Sequence, residues 1–267
     1  MHSLPLREPP GILGRIAART RSDVAIRAAA RPASTLEAAS PGAARPFAAA
    51  LRDTGLSLIA ELKPRAPSGG ALRDRETVES YVEAVGPQAA ALSVLCDAPF
   101  FDGGLDLLVR ARARFAGPVL CKDFIVTEYQ LLEARAAGAD AVLLIVALLP
   151  PSTLALLRAR ADDLGMATLV EVHDADELRE AIDGGAPVIG VNSRDLRTLA
   201  LDLDGAAELL ATIPADRVRV AESGLRTRAD VARVRGVCDA VLIGTALSRA
   251  EDPGAVMREL GLLQGPA

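Results

Sequence analysis

The chain of 267 residues is poor in several residue types, and each shortage excludes a class of protein. It has no tryptophan, 3% aromatic residues, three cysteines and two histidines. Cys96, Cys121 and Cys238 lie far apart and match neither a disulfide framework nor a zinc ligand set, which is typical of a reducing cytosol. The longest apolar run, residues 141–149, is too short to span a bilayer. We therefore expect a cytoplasmic protein with no membrane span and no metal site.

The charge of the chain is slightly acidic. Thirty basic residues stand against 35 acidic ones, which gives a formal net charge of −5. This balance gives no reason to expect nucleic acid or an anionic membrane surface as a partner. The first ten residues include an acidic residue and have no apolar core, so we expect no secretory signal there.

Lysine is rare, although basic residues are common. Lys63 and Lys122 are the only lysines among the 30 basic residues, and Asn192 is the only asparagine. An ammonium group can shift its pKa and donate a proton, whereas a guanidinium cannot. The two lysines are therefore candidates for proton transfer, and the alternative is that they survived by chance.

Eight short, apolar, β-branched segments recur along the chain. Most are continuous rather than alternating, which is typical of parallel strands buried on both faces. They span residues 56–62, 90–96, 118–124, 140–148, 167–173, 187–193, 217–223 and 239–245. The segments between them have apolar residues at helical spacing. Three similar helix-to-strand junctions, at residues 137–145, 184–191 and 236–244, form a weak repeat. The pattern predicts a closed (β/α)₈ barrel. The alternative is an open doubly wound sheet, but the sequence has no G-x-G-x-x-G motif after the first strand, where such a sheet would carry one.

Local signals predict where individual helices start and stop. Thr127 with Gln130 and Asp174 with Glu177 have the spacing of a capping box. Gly138, Gly184-Gly185 and Gly236 each precede a strand, where a helix C-terminus favours a left-handed residue.

Residues 1–50 precede the first strand. We predict helices over residues 12–30 and 47–52, with a Pro/Ala-rich stretch between them. These residues hold too little apolar surface for a core of their own. We expect a helical N-terminal extension packed on a barrel of residues 51–267, as a single domain.

Polar residues collect at the carboxyl ends of five predicted strands. They are Glu61 and Lys63, Lys122 and Asp123, Glu171 and His173, Asn192 and Arg194, and Glu222 and Ser223. The catalytic face of a barrel lies at these ends. A buried ion without a partner costs several kcal/mol, so strand ends do not carry one without a reason. The alternative is a set of structural ion pairs that closes the barrel; for five strands together we favour an active site.

The last two strands are followed by small residues, in ESG at 222–224 and IGT at 243–245. Many barrels bind phosphate on backbone N–H groups in these two loops, so we expect a phosphorylated small-molecule substrate. The loop at 63–70 is rich in Gly, Pro and Ser and could close over a ligand. His173 could titrate usefully or cap the following helix, and we favour the cap. The absence of G-x-S-x-G argues against a serine hydrolase.

Taken together, the motifs resemble the indole-3-glycerol-phosphate synthase family over residues 12 to 260. They are IAELKPRAPSGG (59–70), LSVLCDAPFFDGG (92–104), CKDFIVTEYQLLEARAAGADAVLLI (121–145), LVEVHDADEL (169–178), IGVNSRDL (189–196), AESGLRTRADV (221–231) and VLIGTAL (241–247). The resemblance implies ring closure of a carboxyphenylamino-deoxyribulose phosphate with loss of CO₂ and water, without metal or organic cofactor. It leaves a monomer and a homodimer both open.

The resemblance also implies roles for individual residues. Lys122 would protonate the ribulose carbonyl oxygen, and Glu171 would act as acid and base during dehydration and rearomatisation. Lys63 would bind the substrate carboxylate and could donate a proton as water leaves. The groups that would orient these three and the substrate hydroxyls are Glu61, Asn192 and Glu222. Substrate contacts would come from Phe101, Arg194, Leu196, Ser223, Gly224, Gly244 and Thr245.

The first motif departs from the family pattern at two positions. Ala66 stands where a serine is usual, and Pro64 where a basic or polar residue is common. Two other readings stay open: a Schiff-base aldolase, since a strand-end lysine beside a glutamate suits that chemistry, and a catalytically silent barrel.

Overall fold

The eight apolar segments form the eight strands of one closed barrel. This computed structural model describes residues 4–39, 41–52, 55–66, 70–195 and 199–263. The barrel strands are β1 (Ser57–Leu62), β4 (Ala91–Leu95), β5 (Val119–Lys122), β6 (Ala141–Ile145), β7 (Ala167–Val172), β8 (Val188–Asn192), β9 (Val218–Glu222) and β10 (Ala240–Ile243). Each strand pairs in parallel with its neighbours, and β10 pairs with β1 to close the ring. The prediction of a (β/α)₈ barrel is confirmed, and the open sheet is wrong.

Helices follow each of the barrel strands around the outside of the barrel. They are α4 (Val78–Val85), α5 (Ala98–Phe101), α6 (Leu105–Arg114), α7 (Glu128–Ala136), α8 (Pro151–Asp163), α9 (Ala175–Asp183), α10 (Leu203–Ala211), α11 (Arg228–Val234), α12 (Thr245–Arg249) and α13 (Pro253–Glu259). A short 3₁₀ turn, Arg75–Thr77, precedes α4. Every residue of β4 and β6 is buried, as expected for strands covered on both faces. No helix in the part of the chain described is long and apolar enough to cross a bilayer.

The predicted helix starts are capped, although the Gln130 and Glu177 side chains accept from the N–H groups of Val126 and His173 rather than from the cap residues, as a capping box requires. Thr127 caps α7 by accepting a hydrogen bond from the Gln130 N–H, and Asp174 caps α9 in the same way. Gly138 and Gly185 have φ of 96° and 71°, the left-handed conformation that ends the preceding helix.

The loop after β1 contains a small antiparallel hairpin. Its strands are β2 (Arg65–Ala66) and β3 (Gly70–Ala71). The Pro64 carbonyl accepts hydrogen bonds from the N–H groups of Leu72 and Arg73 at 2.7 and 3.1 Å. These bonds join the two ends of the loop. Residues 67–69, at its tip, lie outside the described ranges.

The N-terminal residues form three helices rather than the two predicted. Helix α1 (Ile12–Ala30) has the predicted bounds, and α3 (Phe47–Ala50) ends two residues earlier than the prediction. Helix α2 (Ala33–Ala38) was missed because it is six residues long and buries only Leu36.

Helix α1 packs on the barrel through two apolar clusters and an ion pair. Its first turns join the main core, and Val24 joins a second cluster with Leu36, Tyr129 and Leu132. Arg27 binds both carboxylate oxygens of Glu133 on α7, at 2.7 and 2.9 Å. These contacts support the proposal that residues 1–50 and the barrel form a single domain.

Candidate active site

A cavity of about 600 Å³ opens at the carboxyl ends of the barrel strands. Five of the six predicted catalytic side chains line it: Glu61, Lys63, Lys122, Glu171 and Asn192. Six of the seven predicted substrate contacts line it as well: Phe101, Arg194, Ser223, Gly224, Gly244 and Thr245. The seventh, Leu196, lies outside the described residues. The strand-end pattern therefore identified one continuous site, because parallel strands in a barrel end on the same face.

Glu61 connects the two lysines of the chain. Residues two apart on an extended segment point to the same side, so Glu61, in β1, and Lys63, directly after β1, face the same way. Lys63 Nζ lies 2.6 Å from Glu61 Oε1, and Lys122 Nζ lies 3.9 Å from Glu61 Oε2. Because the Glu61 side chain is only 1% exposed, these two cations supply the compensation that a buried carboxylate needs.

Lys122 lies among three carboxylates. Its Nζ contacts Glu222 directly and is 3.6 Å from Glu171 Oε2, in addition to its contact with Glu61. Burial opposes the charge on Lys122, but the charges of the three carboxylates outweigh it and raise the pKa of the ammonium. Lys122 is therefore a cation at neutral pH, as a proton donor and a stabiliser of developing negative charge must be.

Glu171 is bound at both of its oxygens. Lys122 approaches Oε2, and the Asn192 amide donates to Oε1 at 3.1 Å. Burial opposes ionisation, but Lys122, His173 and the Asn192 amide outweigh it and lower the pKa of Glu171. Glu171 is accordingly a carboxylate at neutral pH, the state in which it can accept a proton.

Glu222 lies beneath the cavity rather than on its surface. It is buried and contacts Lys122 from the end of β9. Burial, together with the charges of Glu171 and Glu61, raises its pKa despite the contact with Lys122. Glu222 therefore contacts Lys122 but does not itself line the cavity.

Two glycines leave room for these carboxylates. A Cβ atom on Gly190 would lie 2.0 Å from Glu222 Oε1, and one on Gly244 would lie 2.0 Å from Glu61 Oε1. Real Cβ atoms do not approach oxygen so closely, so any side chain at either position would displace its carboxylate. Gly244, predicted only as a phosphate contact, thus also determines where Glu61 lies.

The end of the cavity formed by the loops after β8, β9 and β10 is cationic. Ser223 and Gly224 have positive φ, at 66° and 76°, in the loop after β9. Arg194, Arg226 and Arg249 line this end, and no carboxylate among the described residues lies within salt-bridge distance of any of them. Burial and the nearby Arg226 guanidinium lower the pKa of Arg194. Three guanidinium groups without an acidic partner in the described structure fit an anionic group of a ligand.

One wall of the cavity is apolar and includes helix α1. The rings of Phe101 and Phe124 lie 6.1 Å apart. Ile12, Leu13 and Ile16 complete this wall. The sequence missed these three residues as site residues, because helical spacing indicates a buried face but not the surface that it covers.

His173 does not cap α9. Asp174 is the cap, and the His173 imidazole lies next to Glu171 and Glu177. The predicted capping role is therefore wrong by one residue. Within the described ranges, no group of three or more His, Cys, Asp or Glu side chains is arranged to bind a metal ion.

A family model and individual related proteins all indicate the same family. The family model for indole-3-glycerol phosphate synthase matches residues 13–260. Indole-3-glycerol phosphate synthase 2 of Streptomyces coelicolor is 48% identical over 254 residues, which cover 94% of this chain and 98% of the relative. Indole-3-glycerol phosphate synthase of Variovorax paradoxus is 45% identical over 266 residues, covering 94% and 99%.

Solved structures support the fold alone. The tryptophan synthase alpha chain of Legionella pneumophila superposes with a TM-score of 0.59 at 16% identity, covering 80% of this chain and 95% of its own. Thiamine phosphate pyrophosphorylase of Pyrococcus furiosus gives 0.57 at 20% identity, covering 77% and 94%.

Proposed function

The chain belongs to the indole-3-glycerol phosphate synthase family, and from that premise we propose how its cavity carries out the reaction. The enzyme is a carboxy-lyase of tryptophan biosynthesis that converts 1-(2-carboxyphenylamino)-1-deoxyribulose 5-phosphate to indole-3-glycerol phosphate. The observation that carries the residue roles is the convergence of Lys63, Lys122 and Glu171 on one cavity.

Ring closure needs a proton donor beside the substrate carbonyl. The aromatic carbon that carries the carboxylate attacks the ribulose carbonyl carbon, and Lys122 delivers a proton to the carbonyl oxygen. Three surrounding carboxylates keep Lys122 charged until then. A positioned acid contributes about 10²–10⁴-fold to such a step. The new carbon–carbon bond closes the ring, and CO₂ then leaves from the attacking aromatic carbon, where the bonding electron pair it leaves behind restores the aromatic ring.

Dehydration needs a base that removes a proton and an acid that protonates the departing hydroxyl. Glu171 accepts the proton that is removed, since Lys122 and Asn192 hold it as a carboxylate. Lys63 lies on the other side of Lys122, bridged by Glu61, and donates a proton to the departing hydroxyl. The two steps therefore use different members of one connected set of charges.

The cavity anchors the flexible substrate at both of its charged groups. Lys63 binds the carboxylate, and Ser223, Gly224, Gly244 and Thr245 bind the phosphate. Phe101 packs against the anthranilate ring within the apolar wall. Holding both charged ends converts an extended chain into a pose from which the ring closes, which is a proximity effect.

A continuous assay tests the function. The purified protein is mixed with the synthetic substrate, and the fluorescence of indole-3-glycerol phosphate is followed. We expect product formation without added metal or cofactor. Borohydride added during turnover tests the Schiff-base aldolase: a stable adduct on Lys122 or Lys63 would contradict the acid roles proposed here. Soluble protein that fails to rescue an indole-requiring strain would favour a silent barrel.

The partners and the location follow at the same level of proposal. The enzyme takes a phosphorylated small molecule and, with a net charge of −5, no nucleic acid. The three cysteines are free and buried, which fits the cytoplasm. Sedimentation of the purified protein would distinguish a monomer from a homodimer.

A further inference from the structure

His173 takes no part in the proposed reaction steps, although its imidazole is almost completely buried. It follows β7 directly, and its side chain is only 7% exposed. Nδ1 lies 3.0 Å from Glu177 Oε2, and Nε2 lies 3.5 Å from Glu171 Oε1 without completing a hydrogen bond to any described group. The imidazole therefore stands between two carboxylates, one of which is the proposed base.

Only the doubly protonated ring suits this place. A neutral imidazole has one N–H, so either tautomer leaves a nitrogen lone pair facing a carboxylate. The imidazolium presents an N–H to Glu177 and another to Glu171. Burial opposes the charge, but the bond to Glu177 and the charges of Glu171 and Glu222 outweigh it and raise the pKa of His173. The 3.5 Å separation is short enough to become a hydrogen bond when the site tightens around substrate.

Glu177 fixes the orientation of the ring. The same Oε2 that faces Nδ1 also accepts the backbone N–H of His173 at 2.8 Å. Glu177 lies in the first turn of α9, which Asp174 caps. The ring is thus attached to a rigid element rather than to a free loop, a requirement for orienting a group accurately.

A second cavity, of about 380 Å³, lies behind this ring. His173 and Asn192 are among its lining residues, and Asn192 lines the substrate cavity too. The other titratable groups that face the second cavity are Asp174, Asp195 and Asp202.

We propose that His173 is a positioning residue for Glu171: as an imidazolium held by Glu177, it donates to Glu171 Oε1 and keeps that carboxylate aligned and ionised. Lys122 acts on the other oxygen, so the two cations bind Glu171 from different sides. This inference rests on the proposed role of Glu171 as the acid and base of dehydration.

A titration without substrate tests the contact directly. The chain has only two histidines, so His2→Gln leaves a single imidazole for ¹⁵N NMR. We expect His173 to titrate above its ordinary value of 6.5, with both ring nitrogens protonated on the acidic side of that transition. Glu171→Gln and Glu177→Gln should each move the titration to lower pH, because each removes a facing negative charge. Titration below 6.5, or no response to Glu171→Gln, would overturn the proposal.

A kinetic experiment tests the consequence for turnover. In His173→Gln we expect kcat to fall about 10–100-fold, as for other groups that orient a reacting side chain, with a smaller change in KM. Removal of the cation raises the pKa of Glu171, so the acidic limb of the kcat/KM profile should move to higher pH. Asp174→Asn is the matched control, because asparagine still caps the helix and the profile should not move. An unchanged acidic limb in His173→Gln would contradict the proposed role of His173.

The two experiments separate this inference from the proposed function. If His173→Gln does not fold, the Glu171→Gln and Glu177→Gln titrations still decide whether the contact exists. If the natural protein forms no indole-3-glycerol phosphate while those titrations shift as expected, the proposed function fails and the contact stands.

Discussion

At the scale of single residues, the rarity of lysine is the most informative feature of this chain. Both lysines line the cavity, and both contact Glu61. An arginine-rich protein that keeps lysine in these two places has a use for a compact, proton-donating cation there. The chance survival of two lysines does not account for their meeting at one carboxylate.

Lys122→Arg tests this use of lysine. Arginine keeps the charge and most of the contacts to the three carboxylates, but it cannot release a proton near neutral pH. We expect a fall in kcat of about 10²–10⁴-fold with little change in thermal stability. The fluorescence assay and a thermal melt measure the two effects. Near-normal turnover would show that Lys122 acts through its charge alone.

Asp123 carries a second prediction at this scale. Burial, followed by the charge of Asp97, raises its pKa to about 6, although the Phe124 N–H donates to it. The native state therefore binds a proton that the unfolded state releases, and stability falls as pH rises from about 4 to 6. Asp123→Asn keeps the acceptor oxygen and removes the charge.

We expect Asp123→Asn to be more stable than the natural protein at pH 7, by up to about 3 kcal/mol at ~1.4 kcal/mol per pKa unit. The difference should disappear near pH 3, below the ordinary pKa of 3.8, where the carboxyl is largely protonated in both states. Urea unfolding at the two pH values measures it, with the exposed Asp183→Asn as the control. An equal effect at both pH values would show that the charge is not the cause.

At the scale of elements, helix α1 does more than cover the barrel. Its first turns line the substrate cavity, and its last turns attach to α7 through Arg27 and Glu133. The helix therefore belongs both to the core and to the site, as Leu13 illustrates.

Leu13→Ala should lower stability and weaken substrate binding together. Removal of buried methyl groups costs about 2–5 kcal/mol, and the same change widens the apolar wall of the cavity. We expect KM to rise while kcat changes less, measured beside the thermal midpoint. Ile26→Ala is the control on the same helix, because Ile26 is 69% exposed. A loss of stability without any rise in KM would restrict α1 to a structural role.

At the scale of the whole molecule, the two tyrosines report on different parts of the fold. Tyr81, on α4, belongs to the main core and donates to the Glu61 carbonyl at 2.9 Å. Tyr129, on α7, belongs to the cluster that α1 and α2 cover, and donates to the Arg31 carbonyl at 2.9 Å. The chain has no tryptophan to obscure their signals.

Single-tyrosine variants test whether residues 1–50 and 51–267 form one domain. Tyr81→Phe and Tyr129→Phe each lose one hydrogen bond, worth about 1 kcal/mol, and each leaves one reporter. We expect that, within each variant, tyrosine fluorescence and far-UV circular dichroism give coincident unfolding transitions. If the Tyr129 signal changes before the helical signal, the N-terminal helices detach first and the single-domain proposal is wrong.

The sequence by itself determined the elements and the face on which the site lies. Continuous apolar runs predicted all eight strands, and eight of the ten strand-end polar residues line the cavity. Both are local patterns, and parallel barrel strands all end on the same face. The remaining contacts of the site join residues that are far apart in the sequence. Packing and side-chain rotamers decide that Ile12 lines the substrate cavity and that Glu222 contacts Lys122. They also decide that His173 faces Glu171 rather than capping α9. Such contacts form only when distant segments are brought together, so no local pattern specifies them.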